Sequence, residues 1–277
     1  MSRRLIPALT ALLATTPLAA QNVSGYRYLL RMTSSNGENV VGTVRLAGDK
    51  ERIDFPPGAR TNDDGYILLL NGGHTVALVH TDRREYEAMD DTAFQRLIGD
   101  ALNALGNLVT LKLADVKIET QDLGAGDSVA GYSTRRLRLL QEYTVSIGAM
   151  GFNAANQHHV VVTDFWVSPD LRLPPNPLLE LLATVETALA QRNEDFVRRS
   201  AAARAALVSG TPLKMVITAR SFDVDRGDAG AAGGAAADHS VRTFEVTRVE
   251  RATFDRTIFN VPDGYTRKEN KLNFKLF

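Results

Sequence analysis

The chain has 277 residues, enough to bury the core of one large domain or of two small ones. Its 32 Lys and Arg balance 32 Asp and Glu, which argues against nucleic acid as the main partner because phosphate binding needs a basic surplus on one face. The absence of cysteine excludes disulfides, thiolate metal sites and lipid attachment at a cysteine.

The first twenty residues have the pattern of a secretory signal peptide. Arg3 and Arg4 precede the apolar run Leu5–Leu13, and small residues follow up to Ala20. The run is too short to span about 30 Å of hydrocarbon, and no later stretch is long and apolar enough to do so. The sequence therefore predicts export, a periplasmic location and no transmembrane segment.

Alternating apolar and polar residues predict strands through most of the mature chain. Asn71-Gly72-Gly73 is a strong hairpin signal, and a change of phase at Ala114-Asp115 predicts a β-bulge. Gly124–Gly126 is interpreted as a turn, Gly148–Gln157 as a loop and Thr257–Phe259 as an edge strand. The other predicted strands are Gly25–Thr33, Val40–Leu46, Glu51–Phe55, Tyr66–Leu70, Thr75–His80, Glu85–Glu87, Arg136–Ile147, Val160–Val167, Leu213–Ala219 and Val241–Ala252.

Two helical segments interrupt the strands. The first begins at Asp90 or Asp91 and runs to about Leu105, with its apolar residues on one stripe. The second begins at Asn176-Pro177 and continues in two pieces to Val208. Gly227–Ala237 is a low-complexity Gly/Ala segment typical of a flexible surface loop.

These elements predict an α+β fold in a single domain, residues 21–277. Its core is a curved, mainly antiparallel sheet of about ten or eleven strands, with the helices on its concave face.

Several short motifs give the chain a resemblance to the outer-membrane lipoprotein carrier (LolA/RseB-like) superfamily, and within it to an uncharacterised family of bacterial periplasmic proteins. The matching segments, in chain order, are Arg52-Ile53-Asp54, Asp82–Tyr86, Gly131-Tyr132 with Thr134-Arg135, Trp166–Leu171, Gly210–Leu213 and Val261–Tyr265.

The resemblance implies a half-closed barrel with helices in its concavity, and a non-enzymatic role in holding an acyl chain, a lipoprotein or a polypeptide. This chain departs from the pattern in two ways. Ser133 stands where relatives often have cysteine, and the Gly/Ala loop and the 177–209 insertion are longer than a minimal carrier needs.

Six residues are candidates for ligand contact. Asp164 lies inside an apolar strand on the same face as Trp166. Burial of an ionised carboxylate costs free energy unless the charge is paired, so we predict a salt bridge to Arg136 or Arg138. Its functional interpretation is a polar anchor at the mouth of a cavity. The remaining candidates share the stripe of the first helix, which is expected to seal the core and to line a cavity: Phe94, Leu97, Ile98 and Ala101.

Catalytic and metal chemistry are weakly indicated. Gly126-Asp127-Ser128 resembles the nucleophile block of one esterase class, but the later His239 follows Asp238 directly instead of an Asp-x-x-His pair. His158 and His159 are adjacent and point to opposite faces, so they cannot chelate one metal. No cofactor and no metal site is predicted.

The sequence supports three functional hypotheses. The first is a periplasmic, non-enzymatic carrier that binds a lipid, an acyl chain or a lipoprotein segment. The second is an envelope protein-interaction or stress-sensor module with a filled core and no ligand. The third is a serine hydrolase that uses Ser128.

Overall fold

The computed structural model describes most of the chain between Asn22 and Lys268. The described residues are 22–57, 65–93, 96, 109–149, 152–173, 194–207, 210–223 and 238–268. They form twelve strands, one long α-helix, α1 (Glu194–Leu207), and a short helical start at residues 91–93. The strands are β1 (Asn22–Ser34), β2 (Asn39–Ala47), β3 (Lys50–Asp54), β4 (Gly65–Leu70), β5 (Thr75–His80), β6 (Glu85–Asp90), β7 (Val109–Val129), β8 (Tyr132–Ala149), β9 (Phe152–Ser168), β10 (Thr211–Asp223), β11 (Asp238–Asp255) and β12 (Thr266–Arg267).

All twelve strands belong to one open sheet, in the order β12-β6-β5-β4-β3-β2-β1-β11-β10-β9-β8-β7. Neighbouring strands are antiparallel, except that the two-residue β12 runs parallel to β6. Most neighbours in the sheet are also neighbours in the chain, because antiparallel strands can be joined by short turns. The outer strands are β12 and β7, so the sheet does not close on itself.

The predicted α+β fold class is wrong, because the described chain is predominantly strand. The sheet has twelve strands instead of ten or eleven, and α1 is the one long helix within the described ranges. Two glycine-bearing segments explain part of the error. Gly124–Gly126 continues β7 instead of turning, and most of Gly148–Gln157 is strand, so β7, β8 and β9 reach 21, 18 and 17 residues.

The end of β7 shows how a strand passes through glycines without reversing. Register shifts occur between Asp122 and Ala125 and between Gly126 and Val129, which mark bulges. The chain reverses only at Ala130 and Gly131, both with positive φ (51° and 83°), as a two-residue hairpin turn requires. The predicted bulge near Ala114 is confirmed by a further register shift between Ala114 and Lys117.

Two other predicted elements have definite outcomes. The hairpin at Asn71–Gly73 is confirmed, with β4 and β5 paired across it. The edge strand predicted at Thr257–Phe259 is wrong, because Arg256–Phe259 is a 3₁₀ helix. The Asp255 carboxylate accepts a hydrogen bond from the Thr257 N–H at 2.8 Å and so favours a helical start over an extended one.

Other predicted elements fall partly or wholly outside the described residues. These are the first helix beyond residue 96, the start of the second helix and the Gly/Ala loop. Within the described helical residues, no helix is both long and apolar enough to cross a lipid bilayer.

The sheet has two distinct faces, which the cross-strand register defines because directly opposite residues project to the same side. We call the face against which α1 packs the inner face, and the opposite one the outer face. Ala203 of α1 packs beside Leu137, Leu139 and Val167, and the Phe196 ring meets Tyr143 edge-on at 5.5 Å.

The inner face is apolar from β8 to β5. One cross-strand row consists of Leu137, Phe165, Met215, Phe244 and Met32, on β8, β9, β10, β11 and β1. Four residues earlier in β1, a second row crosses β1 to β5 and consists of Tyr28, Val44, Ile53, Ile67 and Leu78. The apolar band is therefore nine strands wide, or about 38 Å at the usual strand spacing.

The outer face is polar over its central strands and covered at one end. There the segment 256–265 packs on β4 and β5, with Val261 and Tyr265 against the cluster of Tyr66 and its neighbours. The Arg52 guanidinium donates a hydrogen bond to the Ile258 carbonyl at 3.2 Å and also lies 3.5 Å from the centre of the Tyr66 ring. This end of the outer face is thus part of the core.

Candidate functional site

The first site residue, Asp164, sits on the outer face of β9 and is only 6% exposed. Its carboxylate accepts hydrogen bonds from Arg138 Nε at 2.6 Å and Arg138 Nη2 at 2.9 Å, and from the Arg136 guanidinium. The predicted salt bridge is confirmed, and it engages both arginines instead of one. The register explains this, because Arg138 is directly opposite Asp164 and Arg136 is opposite Trp166, two residues along the same face.

Electrostatics at this ion cluster favour the ionised carboxylate. Burial alone would raise the pKa of Asp164, but hydrogen bonds and charge from Arg138 and Arg136 outweigh it, so the pKa is lowered. The same hydrogen bond raises the pKa of Arg138. Two guanidinium groups on one carboxylate leave a net positive charge at this point of the outer face.

The second site residue, Trp166, is enclosed instead of lining an open cavity. It is 7% exposed, and two cations lie over its ring: Arg136 at 4.9 Å and Lys214 at 5.1 Å from the centre. The indole Nε1 has no hydrogen-bond acceptor among the described residues. The arrangement makes Trp166 a packing platform with cation–π contacts, and its contact with a ligand stays a prediction.

Gly126 fits over Trp166 because it has no side chain. A Cβ at this position would lie 2.9 Å from Trp166 Cδ1 and 2.7 Å from Thr134 Oγ1, whose hydroxyl is already held by the Asp127 carbonyl. We expect Gly126→Ala to destabilise the fold by roughly 1–3 kcal/mol, the usual cost of overpacking. Denaturant unfolding measures the loss, and the fluorescence of the single tryptophan reports the displaced ring.

A matched control for this prediction is Leu123→Ala, which truncates an exposed side chain on the same strand. Its stability should stay close to that of the wild-type protein. If Gly126→Ala unfolded at the same denaturant concentration as this control, the result would contradict close packing of β7 against Trp166.

The other four ligand candidates, Phe94, Leu97, Ile98 and Ala101, lie outside the described residues, and their role stays a prediction. Residues 91–93 and 96 are helical, so the helix begins where the sequence indicates. Its cap is confirmed at Asp90, whose carboxylate accepts a hydrogen bond from the Ala93 N–H at 2.7 Å.

The residues considered for hydrolysis and metal binding form ordinary structural contacts. Ser128 donates its hydroxyl to the Tyr132 carbonyl at 3.1 Å beside the β7–β8 turn, while His239 stands opposite Arg220 on β10. His158 contacts Glu142 at 3.1 Å. Within the described ranges, no group of three or more His, Asp or Glu residues could hold a metal ion.

Two features of the structure were missed by sequence reasoning. The first is Glu51, which is completely buried on the inner face between Leu46 and Leu69 in the cross-strand row. Burial raises its pKa to about 8, although interaction with the Tyr28 side chain opposes the shift. The signal was available, because Glu51 shares its parity with Ile53 and therefore lies on the apolar face of β3.

The second missed feature is a groove on the outer face over β11, β1 and β2, with a volume of about 400 Å³. We call it the outer-face groove. Its side chains come from three adjacent strands and are mostly charged or polar: Arg27, Leu29, Thr43, Arg45, Arg248 and Glu250. The sequence signal was the recurrence of arginine at outer-face positions of separate strands, which becomes visible only once the strands are paired.

Comparisons with known proteins yield remote structural likenesses. No protein-family model and no curated protein matches the sequence significantly. The chain is similar to an uncharacterized conserved protein from Thermus thermophilus, with 8% identity and a TM-score of 0.37 over 91% of this chain and 92% of that one. It is also similar to a LolA superfamily protein from Nitrosomonas europaea, with 10% identity and a TM-score of 0.26 over 88% of this chain and 91% of that one. Likenesses of this size assign neither a family nor a function to this chain.

Proposed function

We propose that the protein is an exported, periplasmic and non-enzymatic binding protein that carries an amphiphilic molecule, such as an acyl chain or a lipoprotein segment, against its inner face. One observation supports this most: the apolar band of that face, which crosses nine strands from β8 to β5. A band of this width is far larger than the single stripe of a helix can cover, and hydrocarbon is its natural complement.

Guest binding requires the apolar band to become accessible. Val44 and Leu46 are 0% exposed and Tyr28 is 2% exposed, so the band is closed in this conformation.

The same burial favours a second candidate function. If the inner face is permanently filled, the protein is an envelope interaction module whose partners bind elsewhere on its surface. The two candidates differ in one measurable property, which is whether the inner face exchanges a hydrophobic guest.

Native mass spectrometry of protein purified from a bacterial periplasm, followed by titration with a fluorescent fatty acid, tests the carrier function. We expect co-purified lipid, and an affinity for the fatty acid that Met32→Trp lowers about tenfold, or 1.4 kcal/mol. Met32 is half-buried within the apolar band of the inner face, so the larger side chain occupies space that a guest would need.

The matched control is Val41→Trp, which adds the same indole on the outer face of the neighbouring strand, at a residue 38% exposed. Its fatty-acid affinity should equal that of the wild type. Absence of bound lipid together with absence of fatty-acid exchange would reject the carrier function and favour the filled-core module.

A further inference from the structure

The outer-face groove lies on the opposite side of the sheet from the apolar band and is accessible. The side chains of Arg248 and Arg27 at its rim are 70% and 45% exposed. Its volume of about 400 Å³ is within the range of small-molecule sites. The groove therefore has room for a small chemical group together with solvent.

Arginines in this region stand directly opposite one another across three strands. Arg27 of β1 pairs in register with Arg45 of β2, and Arg45 pairs with Arg52 of β3. Like charges placed opposite each other in a sheet are destabilising. Arg52 has a structural role against Tyr66 and the Ile258 carbonyl, so the part of the row that requires another explanation is the pair Arg27 and Arg45.

Two carboxylates compensate the row only in part. Glu250 contacts both Arg27, at 3.1 Å, and Arg248, at 3.0 Å. Asp54 is clamped by Arg45 and Arg52, with Arg52 Nη2 at 2.7 Å. Four guanidinium groups against two carboxylates leave a local charge of +2, in a chain whose formal net charge is +0.

Hydrogen-bond donors remain available in the groove. Within the described residues, Arg27 and Arg45 each engage a carboxylate through Nη1, and Arg248 does so through Nη2. A guanidinium has five N–H donors arranged in a planar fork, so each of the three keeps donors for an incoming anion. Thr43, on the same face opposite Leu29, adds a hydroxyl donor.

We propose that the outer-face groove binds a phosphate group. A phosphate monoester carries −1.5 to −2 charges near pH 7 and presents three acceptor oxygens, which matches both the surplus charge and the remaining donors. The group can belong to a soluble phosphate ester or to the monoester headgroup of phosphatidic acid at a membrane surface. The inference goes beyond the proposed carrier function and uses the other face of the sheet.

Two binding measurements on the full-length mature protein distinguish the sources. Isothermal titration with inorganic phosphate and glycerol phosphate reports a soluble ligand. Co-flotation with vesicles containing phosphatidic acid, compared with vesicles of phosphatidylcholine alone, reports a headgroup. We expect binding in at least one arm, and binding should weaken as the salt concentration rises because exposed charges are screened.

Variants that remove positive charge or negative charge from the groove test whether the groove binds the phosphate group. Arg27→Gln combined with Arg248→Gln should weaken binding at least tenfold. Glu250→Gln should strengthen binding severalfold, because it removes the acid that competes for the same guanidinium groups. A structural role alone would not make these two changes act in opposite directions.

The control is Arg251→Gln, which removes one positive charge from the other face, since Arg251 pairs with Tyr26. Its binding should equal that of the wild type, and circular dichroism should show that every variant remains folded. Absence of binding in both arms, or equal binding by wild type and the double variant, would overturn the proposal. Fatty-acid exchange in the same variants is expected to be normal, so failure of the phosphate site and failure of the carrier function are separately visible.

Discussion

Replacement of Glu51 with glutamine is expected to make the protein more stable than the wild type at pH 8, with a gain that shrinks as the pH falls to 5. Glu51 is 0% exposed on the inner face, and neither carboxyl oxygen makes a well-formed hydrogen bond within the described residues. Burial raises its pKa from 4.5 to about 8. The neutral acid is therefore the form that the fold accepts.

The direction of the pH dependence follows from proton binding. Between pH 4.5 and 8 the unfolded chain has released the proton of Glu51, whereas the folded chain retains it. The contribution of Glu51 to stability is thus fully present below pH 4.5 and is lost as the pH rises to about 8. Between pH 5 and pH 8 the loss is on the order of 3 kcal/mol.

Urea unfolding of wild type and Glu51→Gln at pH 5, 6.5 and 8 measures this difference. The exposed turn residue Glu38 provides the control, since Glu38→Gln makes the same chemical change away from the core. If the difference in unfolding free energy between wild type and Glu51→Gln did not change with pH, Glu51 would not be a buried neutral acid.

Asp164→Asn is expected to lower the stability at pH 7 by about 2 kcal/mol. Removal of one partner from a buried ion pair usually costs 3–5 kcal/mol, and the figure is reduced here because Arg136 and Arg138 are 38% and 35% exposed in their side chains. The pKa of Asp164 is lowered in the folded state, so its stabilising contribution is present above its unfolded pKa and is lost as the pH falls through the folded one.

The effect of Asp164→Asn should therefore disappear in acid, and unfolding curves at pH 7 and at pH 3 or below measure this. Asp122→Asn is the matched control, because Asp122 also bridges to an arginine, Arg135, but in an exposed position. It should change the stability less. Equal losses for the two variants would contradict a special role for the cluster at Asp164.

Some local features were predictable because their causes are local in the sequence. The hairpin at Asn71–Gly73 is encoded by residues that accept positive φ, and the bulge at Ala114 by a change of phase in one strand. The salt bridge of Asp164 followed from one charged residue in an apolar strand and two arginines in the strand before it. In each case a few neighbouring residues contain the necessary information.

The features that were missed depend on pairing between distant segments. Ala130-Gly131 is a weak turn signal, so the position of the reversal after β7 depends on the register with β8. The outer-face groove brings together Arg27, Arg45 and Arg248, which are far apart in sequence, and it follows only from the order of β11, β1 and β2. The unexpected lengths of β7 and β9 also contributed to the wrong prediction of the fold class. A glycine inside a strand resembles a turn signal when the local sequence is considered alone.

The outer strands of the sheet have a consequence for self-association. An unpaired edge is a template on which a second copy can add a strand and start aggregation. At one edge, β12 pairs with β6. The N–H groups of Thr266 and Lys268 donate hydrogen bonds to the carbonyls of Arg84 and Tyr86. At the other edge, Arg199 of α1 donates to the Val116 carbonyl at 2.9 Å, and the bulges of β7 interrupt the regular repeat that an added strand would need. We therefore expect neither edge of the sheet to pair readily with a strand of a second copy.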